Sequence, residues 1–255
     1  MIFRRRTRML AGALFVLLVA VLSNMTRADE TEPKKPARKP VQLPGMVIDL
    51  EKRCVDVEAT VCLEDGFLEV VACTKGSKEH ESIVAIDARP MHVHTALLLL
   101  GAKNGNPAMR KAVNKEMTRW VHLPPRGDPI EVFLVLKNSA GERVERPIRD
   151  FIRRAAGRAE ASKARTSGKF PGTFLFAGSH LRDVEKGPRR YLADESGNVI
   201  SISTFGDELL CLPVEQSHQN DALAWQVDAK HLPKVGTKVT LRLRPQKKQA
   251  TGAKQ

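Results

Sequence analysis

Residues 54–63, CVDVEATVCL, alternate apolar and polar side chains from position 55 to position 61. This period of two is typical of a β-strand that buries one of its faces. An Asp-Gly pair follows at 65–66 and is a hairpin turn signal, and the apolar segment FLEVVAC at 67–73 supplies a further strand. The stretch therefore predicts two consecutive strands joined by a tight turn.

Strands dominate the rest of the chain, and one helix interrupts them. Pro90 begins this helix at a position where its missing N–H costs nothing, and residues 91–102 continue it with four consecutive leucines at 97–100. A helix that is apolar on all sides belongs in a core, so we predict that this one is buried. Apolar segments predict further strands at 46–50, 82–88, 130–136, 143–148, 174–176, 190–193, 198–203, 222–227 and 239–243. The predicted fold class is α+β, mostly antiparallel β with one buried apolar helix, in a single domain.

The N-terminus predicts export. Four arginines lie within residues 4–8, an uncharged apolar run fills residues 9–22, and small residues begin and end the tripeptide 26–28. This order is typical of a signal peptide, which we place at 1–28, so that the mature chain begins at Asp29 and is periplasmic or secreted. The alternative is an uncleaved helix that anchors the chain, although the run is shorter than the roughly 20 residues of a membrane span.

Shifts in composition divide the remainder of the chain into a linker, one domain and a tail. A linker rich in Pro and Lys at 29–44 precedes one domain at 45–245, which carries a basic insert of low order at about 155–169. A disordered tail at 246–255 follows the domain. Because the linker and the tail are basic, we predict that they associate with an anionic surface of the cell envelope.

The composition of the 255-residue chain argues against several classes of protein and against a nucleic-acid partner. Hydrophobic residues make up 42%, which is enough to form a core and argues against fibrous and fully disordered classes. Aromatic residues make up 5%, which argues against a surface that stacks bases. The formal net charge is +13, yet we expect no nucleic-acid partner, because an exported chain seldom meets one.

The four cysteines are Cys54, Cys62, Cys73 and Cys211, and no C-x-x-C motif occurs. An exported protein lives where disulfides form, and four cysteines allow three connectivities. Cys54 and Cys62 would lie about 26 Å apart on one straight strand, so they cannot pair with each other. Either can pair with Cys73 if the chain folds back at the Asp-Gly turn. The alternative is that all four are buried thiols.

Three side chains that favour metal ions lie close together in the sequence: His80, Glu81 and His94. Imidazole and carboxylate groups are ligands of zinc or copper, so these residues form a candidate metal site, although nothing in the pattern requires a cofactor. His92 lies on the opposite side of the predicted helix and cannot face the same ion. The alternative is a structural cluster in which Glu81 pairs with His94 or with Lys78.

Several motifs resemble the YdjY family of bacterial exported proteins over roughly residues 47–245. They are KEHES at 78–82, His94 with ALLLLG at 96–101, FAGS at 176–179, YxADxSGN at 191–198, NDxLxW at 220–225 and VGTxVT at 235–240. The family has no assigned molecular function, so the resemblance implies an exported non-catalytic binding or accessory protein, and we expect no enzymatic activity. The alternative is a metal-binding or redox accessory protein that uses His80, Glu81 and His94. A hydrolase is less favoured, because Ser179 lies in no G-x-S-x-G motif.

Overall fold

The strands and helices of the protein lie within residues 39–155 and 169–246, which are the residues described by a computed structural model. They belong to one compact unit, Arg38–Gln255. The predicted signal peptide, most of the linker, most of the insert at 156–168 and the tail from 247 lie outside the described residues. Their predicted roles therefore stay predictions.

The described residues contain nineteen strands, two α-helices and four short 3-10 helices. The strands are β1 (Val41–Leu43), β2 (Met46–Asp49), β3 (Cys54–Val61), β4 (Val70–Thr74), β5 (Ser82–Ile86), β6 (Asn104–Asn106), β7 (Met109–Ala112), β8 (Trp120–Leu123), β9 (Arg126–Gly127), β10 (Pro129–Lys137), β11 (Arg143–Pro147), β12 (Ile152–Arg154), β13 (Thr173–Leu175), β14 (Leu181–Arg182), β15 (Arg190–Tyr191), β16 (Asn198–Ser201), β17 (Leu210–Cys211), β18 (Trp225–Val227) and β19 (Lys238–Pro245). The α-helices are α1 (Pro90–Leu99) and α2 (Leu192–Ser196), and the 3-10 helices are η1 (Glu79–Glu81), η2 (Ile148–Phe151), η3 (Asn220–Ala222) and η4 (Ala229–His231).

Eight of the strands form a closed β-barrel. Their order around the barrel is β3, β19, β10, β13, β17, β16, β4 and β5, and the pairing of β5 with β3 closes the ring. At the closure Thr60 lies opposite Ala85 and Val61 lies opposite Val84. Two of the pairings, β4 with β5 and β16 with β17, are parallel. Because every barrel strand has two neighbours, closure leaves the ring with no free edge.

The predicted fold class, α+β with one buried helix, is wrong. The described residues are 41% strand and 14% helical, and the architecture is a closed barrel with one ten-residue helix, α1, and the shorter α2. The predicted hairpin is also wrong, since β3 and β4 do not pair with each other and β5 lies between them. Alternation along β3 itself is confirmed, because the odd positions from Val55 to Val61 are all buried. A period of two describes the faces of a strand, but it does not specify which strand lies next to it.

Helix α1 covers the barrel with one face. Asp194 of α2 caps its first turn, because the Met91 N–H donates to Asp194 Oδ1 at 2.9 Å. The buried face carries Val93, Ala96 and Leu97. The helix ends at Leu99, and Gly101 follows its C-cap residue with a φ of 82°, which is accessible to glycine at no steric cost.

The expectation that this helix is buried on all sides is wrong. Leu98 is 45% exposed and Leu99 is 60% exposed, whereas Leu97 is fully buried. The reason is geometric: successive residues of a helix are 100° apart, so four consecutive leucines cannot all face one barrel.

Within residues 39–155 and 169–246, no helix is long and apolar enough to cross a membrane.

Candidate functional site

The crossover from β4 to β5 passes through η1 and carries several charged side chains. A turn precedes η1, in which the Ser77 hydroxyl donates to the Thr74 carbonyl oxygen at 2.6 Å. The Gly76 N–H donates to Glu79 Oε1 at 3.1 Å. These local hydrogen bonds fix the course of the chain and so fix where Lys78 lies.

Lys78 lies between two carboxylates and above an aromatic ring. Its ammonium nitrogen is 2.8 Å from Glu81 Oε1 and 4.0 Å from Glu69 Oε2. The same nitrogen lies 4.1 Å from the centre of the Phe205 ring, a cation–π distance. We call these four residues the Lys78 cluster. Burial and the nearby charge of Glu81 raise the pKa of Glu69, so the single cation stabilises a carboxylate that water reaches poorly.

Two cysteines lie directly beside the Lys78 cluster. Cys73, fully buried in β4, packs with Val70 and Ala85, and both Cys62 and Phe205 pack against this group. Cys62 is partly exposed and follows the last residue of β3, and its sulfur lies 3.2 Å from the Ser82 carbonyl oxygen. We call Cys62 and Cys73 the thiol pair.

The Cys62 thiol donates to the Ser82 carbonyl oxygen, and its side chain packs against the group that contains Cys73. The interaction with Cys62 lowers the pKa of the Cys73 thiol, and this effect outweighs burial, which raises it. The interaction with Cys73, together with burial, raises the pKa of Cys62. The thiolate form is therefore favoured at Cys73, while Cys62 keeps its proton.

The other two cysteines are isolated from the thiol pair. Cys54 begins β3, at the opposite end of the strand from Cys62, and burial raises its pKa. Cys211 lies in β17, where burial and then the charge of Glu208 raise its pKa to about 12. All four cysteines are free thiols in the structure. Of the pairings that the sequence leaves open, the fold brings together Cys62 and Cys73.

The three predicted metal ligands do not converge. The His80 side chain is 79% exposed, and its Nε2 lies 3.7 Å from Glu81 Oε2. Glu81 itself pairs with Lys78, as in the structural alternative stated above. His94 lies on α1, where its Nδ1 is 2.9 Å from the Tyr191 hydroxyl. In the described part of the chain, no group of three His, Cys, Asp or Glu side chains could hold a metal ion.

His94 belongs to a separate buried network that the residue patterns did not identify. The Tyr191 hydroxyl donates to the Gly178 carbonyl oxygen at 2.8 Å, which leaves His94 Nδ1 as the donor to the tyrosine oxygen. The His94 ring packs edge-on against Phe176. Burial lowers the pKa of His94, so the imidazole is neutral. The sequence did contain one indication of this network, because His94, Gly178 and Tyr191 all lie in motifs that resemble the YdjY family.

Ser179 has a structural role in the same region. Its hydroxyl donates to the Asp207 carbonyl oxygen at 2.6 Å and accepts from the Ala193 N–H at 3.1 Å. Its φ of 51° is left-handed, which is unusual for a residue other than glycine. The hydroxyl proton is therefore engaged with backbone and is not donated to a base, as activation of a nucleophile requires.

Comparisons with known proteins agree with the family resemblance. The model of the YdjY domain matches residues 46–244, which is most of the chain. No curated protein and no solved structure matches the chain. The predicted family is thus confirmed: the chain belongs to the YdjY domain family.

Proposed function

We propose that the protein is an exported, non-catalytic accessory protein and that the thiol pair is its functional group, which exchanges two electrons with disulfides of the cell envelope. The observation that carries the proposal is the contact between Cys62 and Cys73 beside the Lys78 cluster. The signal-peptide pattern at 1–28 supports export, and the envelope is a compartment in which thiols meet disulfides.

Exchange begins at Cys62, because it is the partly exposed member of the pair. Its sulfur attacks an external disulfide while its proton passes to the Cys73 thiolate, and one external thiolate leaves. Cys73 then loses that proton to solvent and attacks the Cys62 sulfur, which releases the second external thiolate. The net reaction oxidises the two thiols of the pair to one disulfide and reduces the external disulfide to two thiols.

Closing this bond requires movement at Cys62. A disulfide requires the two sulfurs to come within about 2.05 Å, closer than in any non-bonded contact between thiols. Cys62 lies one residue beyond β3, but its N–H still donates to the Ile83 carbonyl oxygen at 3.0 Å, whereas Cys73 is held within β4. The segment after Val61 must therefore give up this hydrogen bond to β5 when the disulfide forms.

The turn that carries Lys78 acts on the pair through its backbone. The Lys78 backbone N–H adds to the forces that lower the pKa of Cys73. A thiolate with a lowered pKa is the better leaving group and is populated at neutral pH, both of which speed exchange. The earlier metal hypothesis on His80, Glu81 and His94 gains no support from this geometry.

A thiol count in redox buffers tests the proposal. The chain from Asp29 is equilibrated in mixtures of reduced and oxidised glutathione, quenched in acid and labelled with a maleimide after denaturation. We expect four labels in reducing buffer and two in oxidising buffer, with peptide mapping assigning the bond to Cys62 and Cys73. The N-terminus of protein isolated from the envelope tests cleavage before Asp29.

Two matched variants separate the pair from the other cysteines. Cys73→Ala should abolish the loss of two labels, whereas Cys54→Ala should retain it. Four labels at every glutathione ratio, or a bond that involves Cys54 or Cys211, would contradict the proposal. Elemental analysis of the same samples is the second readout, because a stoichiometric soft metal ion on the two sulfurs would replace redox exchange with metal binding.

A further inference from the structure

The hairpin of β7 and β8 carries an unusual share of the exposed apolar surface. Ten large apolar side chains are exposed among the described residues, and four of them lie within residues 113–121. These four are Val113, Met117, Trp120 and Val121, of which Met117 is 61% exposed and Trp120 is 52% exposed. A soluble surface seldom gathers such residues in one short segment without a partner.

Hydrogen bonds hold the tip of this hairpin in a defined shape. Asn114 Oδ1 accepts from the Thr118 N–H at 3.2 Å and from the Arg119 N–H at 3.0 Å. The Val113 N–H donates to the Arg119 carbonyl oxygen at 2.9 Å. Met117 has a φ of 53°, a conformation that costs a non-glycine residue on the order of 1–2 kcal/mol. The tip therefore presents an apolar side chain at an energetic cost, which is typical of functional positions.

The base of the hairpin is fastened to the rest of the domain. His122 Nε2 lies 2.6 Å from Glu215 Oε1. The Asn106 side-chain amide donates to the Pro107 and Pro124 carbonyl oxygens, at 2.8 and 3.1 Å. The hairpin is thus closed at its base by Asn106, and one side-chain contact joins it to residue 215.

The same hairpin is strongly basic. Arg110, Lys111, Lys115 and Arg119 oppose one carboxylate, Glu116, within residues 109–123. All four cations are exposed, and none of them forms an ion pair with another described side chain. Their charge is available to an anionic partner.

We infer that the hairpin of β7 and β8 is a membrane-contact element that inserts Met117, Trp120 and their apolar neighbours into the headgroup region of an anionic phospholipid bilayer. Tryptophan favours the membrane interface, because its ring is apolar and its N–H remains in contact with water. Lysine and arginine at the rim gain from the negative surface potential of the bilayer. The combination of an apolar tip with a cationic rim is complementary to a bilayer rather than to bases, for which several stacked aromatic rings are needed.

This inference goes beyond the proposed redox function and is independent of the thiol pair, which lies on other elements of the fold. It also differs from the association predicted for the basic linker and tail, since the hairpin contributes apolar insertion as well as charge.

Tryptophan fluorescence gives a site-specific test, because the chain has two tryptophans in opposite environments. Trp225 is fully buried, whereas Trp120 is exposed, so a change on binding reports on the hairpin. The chain from Asp29, which includes the whole compact unit, is mixed with phosphatidylglycerol vesicles or with phosphatidylcholine vesicles. We expect a blue shift, and quenching by lipids brominated on their acyl chains, with the anionic vesicles only.

Variants separate the hairpin from the basic termini. Lys115→Gln with Arg119→Gln removes two cations and should weaken binding by about 30-fold. Trp120→Phe should remove the blue shift while vesicles still sediment with the protein. The matched control is Lys186→Gln with Lys234→Gln, which removes two exposed cations elsewhere and should leave the affinity unchanged.

Three results would overturn the inference. One is sedimentation with anionic vesicles while the Trp120 emission and its quenching stay unchanged, because the termini alone would then hold the protein. Another is equal binding to phosphatidylcholine vesicles. The third is a Trp120 blue shift with a protein or nucleic acid and none with vesicles.

Discussion

Replacing Leu97 by alanine tests the placement of helix α1 on the barrel. Leu97 is fully buried in the main core, beside Val93 and Ala96 on the same helix face. Truncating a buried leucine to alanine costs about 2–5 kcal/mol, because the lost burial and the cavity left behind add together. For a domain of this size each kcal/mol lowers the Tm by roughly 2–4 °C, so a loss near ~3 kcal/mol corresponds to about 6–12 °C.

Leu99→Ala is the matched control, since it makes the same chemical change two residues along the same helix. Leu99 is exposed in the structure, so the free energy of unfolding should change by less than about 0.5 kcal/mol. Urea unfolding followed by circular dichroism, with reductant present to keep the cysteines as thiols, measures both variants. Equal losses in the two variants would mean that α1 is buried on all sides, and a negligible loss at Leu97 would mean that it does not pack on the barrel.

Two further predictions concern backbone packing and pH. Gly127→Ala should strongly lower the Tm in a thermal melt, because a Cβ at this position would lie 2.1 Å from the Phe176 carbonyl oxygen. Gly141→Ala is the control: its Cβ would have no atom within 4 Å, so the substitution should cost only about 1–2 kcal/mol for the left-handed φ. Glu208 is buried, and burial raises its pKa in the folded state above the 4.5 of the unfolded chain. Between these two pKa values the folded state binds more protons than the unfolded state, so the free energy of unfolding of the wild type should fall as the pH rises from 4.5 through the folded-state pKa. Glu208→Gln cannot ionise and should not show this loss; parallel pH profiles of the two proteins from acid to neutral would refute the assignment.

Residue types alone predicted only part of the candidate site. Four cysteines with no C-x-x-C motif leave the pairing open, although the strand geometry correctly separates Cys54 from Cys62. The contact of Cys62 with Cys73 depends on tertiary structure. Strand β5 pairs with β3 on one side and with β4 on the other, and so holds the end of β3 near β4. By contrast, the grouping of His80 with His94 rests on closeness in sequence, and α1 carries His94 to Tyr191 instead.

Local sequence pattern was sufficient for features that depend on neighbouring residues. Alternation from Val55 to Val61 specifies a strand with one buried face, and Pro90 and Gly101 mark the start and end of the helix, because backbone dihedrals and side-chain periodicity are set within a few residues. The motifs at fixed spacing were also sufficient for the family.

Tertiary structure alone supplied the closure of the barrel, the exposed half of α1 and the exposure of Trp120. Each depends on which distant surfaces meet: β3 pairs with β5, one helix face covers the barrel, and the hairpin of β7 and β8 stands clear of the core. Apolar residues gain free energy equally from any apolar neighbour, because the hydrophobic effect has no direction. A run of leucines or a single tryptophan therefore does not specify its own partner, and only the assembled strands show which apolar side chains are left facing solvent.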